Sequence, residues 1–71
     1  MTRQEHLDWC KKRAHEHLAV GDIKNAVTSM LSDLNKHPET ALKTPTPFMV
    51  GMLAVQDHDM AAARWFIDGF N

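Results

Sequence analysis

Apolar side chains recur along this chain at helical spacing, in four bursts separated by short polar breaks. Leu7, Cys10, Ala14 and Leu18 fall within a narrow arc of one helical face, since residues three and four apart stack on the same side of an α-helix. Ahead of them, Thr2-Arg3-Gln4-Glu5 has the form of a capping box. The Thr2 hydroxyl can accept from the Glu5 amide while the Glu5 carboxylate reaches back to the Thr2 amide. A first helix is predicted from about Arg3 to about Val20. Gly21 suits the left-handed residue that closes a helix, and Asp22 can cap the next one. So short a turn must fold the second helix back onto the first.

That second helix, about Ile23 to Lys36, carries the cleanest pattern. Ile23, Ala26, Val27, Met30, Leu31 and Leu34 share one face, and Lys24, Thr28, Ser32 and Asn35 fall away from it. Lys36 and His37 suit the negative end of the helix, and Pro38 discourages His37 from staying helical. Glu39 to Thr46 reads as a loop. Thr46 followed by Pro47 makes a cap and first-turn pair, which opens a third helix from about Pro47 to about Gln56. Its apolar content is Phe48, Met52, Leu53 and Val55. Gly51 weakens it by about 1 kcal/mol relative to Ala unless close packing needs the missing side chain. Asp57-His58-Asp59 makes a second tight turn. A fourth helix, about Met60 to Gly69, is expected to bury Met60, Ala63, Ile67 and Phe70. No run alternates apolar and polar residues long enough for a strand. The prediction is an all-α domain of four short helices arranged as two stacked antiparallel hairpins. Hairpin 1 covers about 2–38, a loop about 39–46, and hairpin 2 about 47–71.

Size and charge narrow the functional classes. A chain of 71 residues makes one domain, near the lower limit for folding alone, where self-association is a natural source of stability. The formal net charge is −1, and only Lys11-Lys12-Arg13 of the eight basic residues are contiguous. Glu5, Asp8 and Glu16 flank that trio, which therefore reads as a solvated helix face. Nucleic acid is disfavoured as the main partner, because phosphate binding needs a concentrated basic footprint. A second helix used to read DNA would offer only Lys24 and Lys36. The single cysteine excludes an internal disulfide. No apolar run resembles a signal-peptide core or approaches membrane-spanning length. A cytoplasmic location and a native start at Met1 are expected.

Candidate chemistry is sparse. His6 and Cys10 are four apart on one face, with His17 two turns beyond Cys10, but His15, His37 and His58 lie on other faces or elements. Zinc needs three or four convergent ligands, so no metal or other cofactor is expected, and surface histidines with a semi-buried thiol account for the same residues. A nucleophilic Cys10 would need His6 or His17 as base, yet it sits on the core stripe, where burial raises a thiol's pKa and leaves it inert. Asp57 and Asp59 flank His58, and capping explains both acids. So few residues build no pocket of useful size, and no enzyme is expected.

Two segments echo one another. The run from His17 through Gly21-Asp22-Ile23 to Ala26 is followed by Leu53 through Asp57-His58-Asp59-Met60 to Ala63. Asp22, Ala26, Met30 and Pro38 together resemble the second half of a tetratricopeptide repeat, with Ala14 at the small position where its two helices cross. A shift of 37 residues puts Gly51 on Ala14, Asp59 on Asp22, Met60 on Ile23, Ala63 on Ala26 and Ile67 on Met30. The chain departs from that family at Cys10, Arg13 and His17, where Trp, Leu and Tyr are usual, and its second unit lacks the closing Pro. The resemblance implies stacked helical hairpins that bind other proteins. The overall texture, from Asp8-Trp9-Cys10-Lys11-Lys12-Arg13 to Gly69-Phe70-Asn71, also resembles small proteins encoded by tailed bacteriophages, for which the host cytoplasm would be the location.

The two tryptophans stand apart from the core stripes. Trp9 projects opposite the Leu7/Cys10/Ala14/Leu18 face beside Arg13, and Trp65 lies off the Met60/Ala63/Ile67 face. Trp and Arg are enriched at binding hot spots, although rings packed in a second core layer, against the Thr40–Thr46 loop or in a dimer would also account for them. Met30 and Met60 read as core filler, whereas Met49 could join Trp65 or the Phe66–Phe70 end in an adhesive patch. The sequence thus points to a protein–protein interaction module without catalysis, acting as a homodimer or on a host or viral protein. Trp9, Arg13, Trp65, Phe66 and Phe70 are the candidate contacts. The alternative is a DNA-associated regulator using the helix 1–helix 2 hairpin.

Overall fold

The computed structural model describes residues 2–70, so the expected native start at Met1 and the terminal Asn71 lie outside them. The chain is all-α, with helices α1 (Arg3–Ala19), α2 (Ile23–Leu34), α3 (Thr46–Gln56) and α4 (Met60–Asp68). α1 opens on the predicted capping box: Glu5 N–H donates to Thr2 Oγ1 at 3.1 Å, and Thr2 N–H donates to Glu5 Oε1 at 3.2 Å. Asp22 accepts from Asn25 N at 3.2 Å and so caps α2. Asp59 accepts from Ala62 N at 3.0 Å and does the same for α4.

Both hairpin turns close in one way. Gly21 (φ +77°) ends hairpin 1's first helix, and His58 (φ +50°) stands at the matching place in hairpin 2. The next residue's N–H reaches back five positions, from Asp22 to His17 O at 2.9 Å and from Asp59 to Ala54 O at 3.1 Å. This six-to-one bond across a left-handed residue satisfies carbonyls at the helix end. The 37-residue echo in the sequence is therefore an echo of turn geometry.

α1 and α2 pack closely along their lengths, α4 docks on both, and α3 touches only α2 and α4. The core comprises Leu7, Cys10, Ala14, Leu18, Ile23, Ala26, Val27, Met30, Leu31, Leu34, Ala54, Ala63, Phe66 and Ile67. Ala14, Ala26 and Ala63 are all fully buried, as small residues at helix crossings should be. Where Ala14 has its methyl, Gly51 has none. A Cβ built there would lie 2.8 Å from Val27 Cγ1 and 2.9 Å from Phe66 Cζ. Across the hairpins, Lys11 Nζ donates to Asp68 O at 3.3 Å and His15 Nε2 lies 2.6 Å from Asp68 Oδ1.

Three expectations need correction. Thr46 is not the cap of α3; it is the first helical residue, Pro45 precedes it, and no side chain caps that end. α3 turns Gly51 and Ala54 to the core and leaves Phe48 and Leu53 more than half exposed. α4 buries Phe66 with Ala63 and Ile67, while Met60 and Phe70 pack at the margin. Phe66 turns inward because Gly51 leaves room for its ring edge.

Candidate functional site

Of the five candidate contacts, two belong to hairpin 1 and three to hairpin 2, and the structure does not bring the two groups together. On hairpin 1, Asp33 lies on the inward face of α2, 2% exposed. A buried carboxylate needs partners, and both its oxygens have them. Arg13 Nε donates to Oδ2 at 2.8 Å, Ser29 Oγ donates to the same oxygen at 3.3 Å, and Lys36 Nζ donates to Oδ1 at 2.9 Å. Burial pushes the Asp33 pKa up, but the hydrogen bonds and positive charges of Lys36 and Arg13 outweigh it and hold the carboxyl below its usual range.

Trp9 completes this cluster. The Arg13 guanidinium stands 4.8 Å from its ring centroid, Lys36 Nζ 5.8 Å, and the His6 ring is stacked at 5.6 Å. Trp9 is thus half-buried within its own hairpin, and Arg13 is engaged by Asp33. His6 is buried as well. Its Nε2 lies 2.8 Å from the Asp33 carbonyl oxygen, which can only accept, and this fixes the proton on Nε2. Cys10 Sγ is 3.5 Å from the same nitrogen. Burial, aided by the charge of Asp33, pushes the Cys10 thiol up to about 11, far from the range of a nucleophile. Among the described residues, no group of three or more His, Cys, Asp or Glu is placed to hold a metal ion.

Hairpin 2 presents a different surface. Every residue from Thr44 to Gln56 is uncharged. A helix apolar on all sides is normally covered on all sides, yet the outer side of α3 is bare. Phe48 is 52% exposed, Met49 60%, Leu53 58%, and Trp65 on the neighbouring α4 73%. Exposed apolar side chains gathered on one helix form a surface of the kind that marks an interaction site. Trp65, Phe66 and Phe70 meet along its edge, where with Pro47 and Val50 they line a shallow groove of about 260 Å³. Phe66 is its floor, 6% exposed, and Phe70 stands edge-on to Phe66 at 5.0 Å.

The sequence singled out Trp65, Phe66, Phe70 and Met49, but not Phe48 and Leu53 as surface residues. Two signals were available for them: the uncharged run itself, and Gly51 and Ala54, whose small size marks the crossing face and so turns Leu53 outward. Asp33 was also missed, although it lies three residues beyond Met30 and seven beyond Ala26, on their face. No protein-family model, curated protein or solved structure matches this chain. The fold and this face define a class, a small all-α protein of two stacked hairpins with one uncovered apolar helix. Among the described residues, no helix is long and apolar enough to cross a membrane.

Proposed function

We propose that this chain is a non-catalytic protein–protein interaction module that docks a protein partner on α3 and the adjoining edge of α4. The observation that carries the reading is the bare outer side of α3, with Phe48, Met49 and Leu53 exposed on a helix that has no charged residue. Apolar anchors of this kind bind by removing their surface from water. Trp65 forms a rim and Phe66 a floor for an inserted side chain. The paired hairpin turns support kinship in architecture with tetratricopeptide-like modules, and the texture of the chain supports a bacteriophage origin. A free, buried Cys10 suits a reducing cytoplasm, that of the host if the chain is phage-encoded. Hairpin 1 offers less to DNA, since Arg13 and Lys36 are both paired with Asp33.

Photo-crosslinking in the cell that makes the protein tests this reading. A photoreactive residue at Leu53 or Met49 is expected to give discrete protein adducts, whereas one at Lys12 or Thr28, on the exposed sides of hairpin 1, gives none. Adducts from hairpin 1 positions alone, or from no position, would remove the reading.

A further inference from the structure

Resting on that reading, we infer that the occupant of the α3 face is a second copy of this chain, bound with its α3 antiparallel. One feature makes α3 complementary to itself, and two more favour the antiparallel direction. First, the stretch from Thr44 to Gln56 is uncharged, so an identical face meets it with an equal apolar surface. In a two-fold pairing centred near Gly51, Met49 of one copy meets Leu53 of the other, as an isologous interface requires.

Second, the charges that flank this neutral stretch are opposite at its two ends. Lys43 precedes it, and Asp57 and Asp59 follow it. An antiparallel pair brings the basic end of each copy to the acidic end of the other, twice. A parallel pair sets like charges together. Third, α3 alone among the four described helices has no side chain capping its N-terminus, and Asp57 sits at its C-terminal end. Negative charge at a helix C-terminus opposes the helix dipole, but beside the N-terminus of a second helix it is favourable. The antiparallel copy supplies each open N-terminus with the other's Asp57.

A standard interface takes about 800 Å² from each partner and is apolar at its centre, and exposed Met49 and Leu53 supply such a centre on α3. A folded unit this small also gains most from covering it.

Sedimentation equilibrium on the full chain across concentration decides the matter, with circular dichroism on each variant. The wild type is expected to dimerise. Leu53→Glu, on an exposed side chain, is expected to weaken the dimer about a hundredfold while keeping its helix. Lys43→Glu and Asp57→Lys each place like charges together twice and are expected to weaken it about tenfold. Mixing those two variants pairs Glu with Lys and Asp with Lys, so the mixture is expected to associate as tightly as the wild type. The mixing arm stands even if Leu53→Glu loses its helix. A wild type that stays monomeric at millimolar concentration overturns the second copy as occupant, while the crosslinks at Leu53 and Met49 still decide whether the face binds another protein. A dimer that survives Leu53→Glu with its helix kept, or a mixture no tighter than its components, overturns the antiparallel α3 pairing.

Discussion

Arg13 Nε on α1 lies 2.8 Å from Oδ2 of Asp33 on α2, and that carboxylate is 2% exposed while the arginine side chain is 47% exposed. The pair ties the two helices of hairpin 1 at their surface edge, with the negative member inside and the positive member outside. Lys36 holds the other oxygen, and Trp9 lies beneath both cations. The cluster joins α1 to α2 on the side of hairpin 1 that carries Trp9.

Asp33→Asn keeps the shape but removes the charge that Arg13 and Lys36 share, and it is expected to cost about 1–2 kcal/mol at neutral pH. The folded-state pKa of Asp33 lies below its unfolded value, so its contribution is present above the unfolded pKa of about 4 and is lost as pH falls through the folded value. Urea unfolding at several pH values should therefore show a constant gap between wild type and variant above about pH 5, closing as the pH drops further. A gap that widens in acid would contradict the assignment.

The two tryptophans should separate cleanly. Trp9 is packed against the core margin under two cations, and Trp9→Ala is expected to cost about 1–2 kcal/mol through lost packing and cation–π attraction. Trp65 is 73% exposed, and Trp65→Ala is expected to change the stability of dilute protein by less than about 0.5 kcal/mol. Chemical denaturation checks both, and the emission of the chain that keeps Trp65 should be the redder.

Gly51→Ala sets a helix-propensity gain of about 1 kcal/mol against overpacking worth about 1–3 kcal/mol. The new methyl would press on Val27, which is fully buried, and on the ring of Phe66. We expect a net loss of about 1 kcal/mol, partly relieved in Gly51→Ala/Val27→Ala, so that the double variant is more stable than the sum of its singles. Additivity would mean the methyl fits without displacing Val27.

Gly21 and His58 hold the same left-handed backbone, but only Gly21 does so without strain. A Cβ at Gly21 meets nothing within 4 Å, so Gly21→Ala isolates the backbone cost, about 1 kcal/mol. His58→Gly should raise stability by about 0.5–1 kcal/mol, read as a higher melting temperature.

What the sequence determined by itself is local. Helical spacing, the Thr2–Glu5 capping box, Asp22 and Asp59 at their turns, and the Leu7–Leu18 and Ile23–Leu34 stripes all act within a few residues, and the structure carries them unchanged. The four helices follow from them to within two residues at each end. Tertiary packing decided the rest. Asp33 reads as one more polar residue until Arg13, 20 positions away, supplies its partner. In α3 nearly every side chain is apolar, so periodicity has no polar face to contrast, and nothing local says which side turns inward. The choice fell to Gly51, because only a residue without a side chain lets Val27 and Phe66 approach so closely. Once that side faces the core, Met49 and Leu53 must face out, and Phe48 is left half-exposed on the flank.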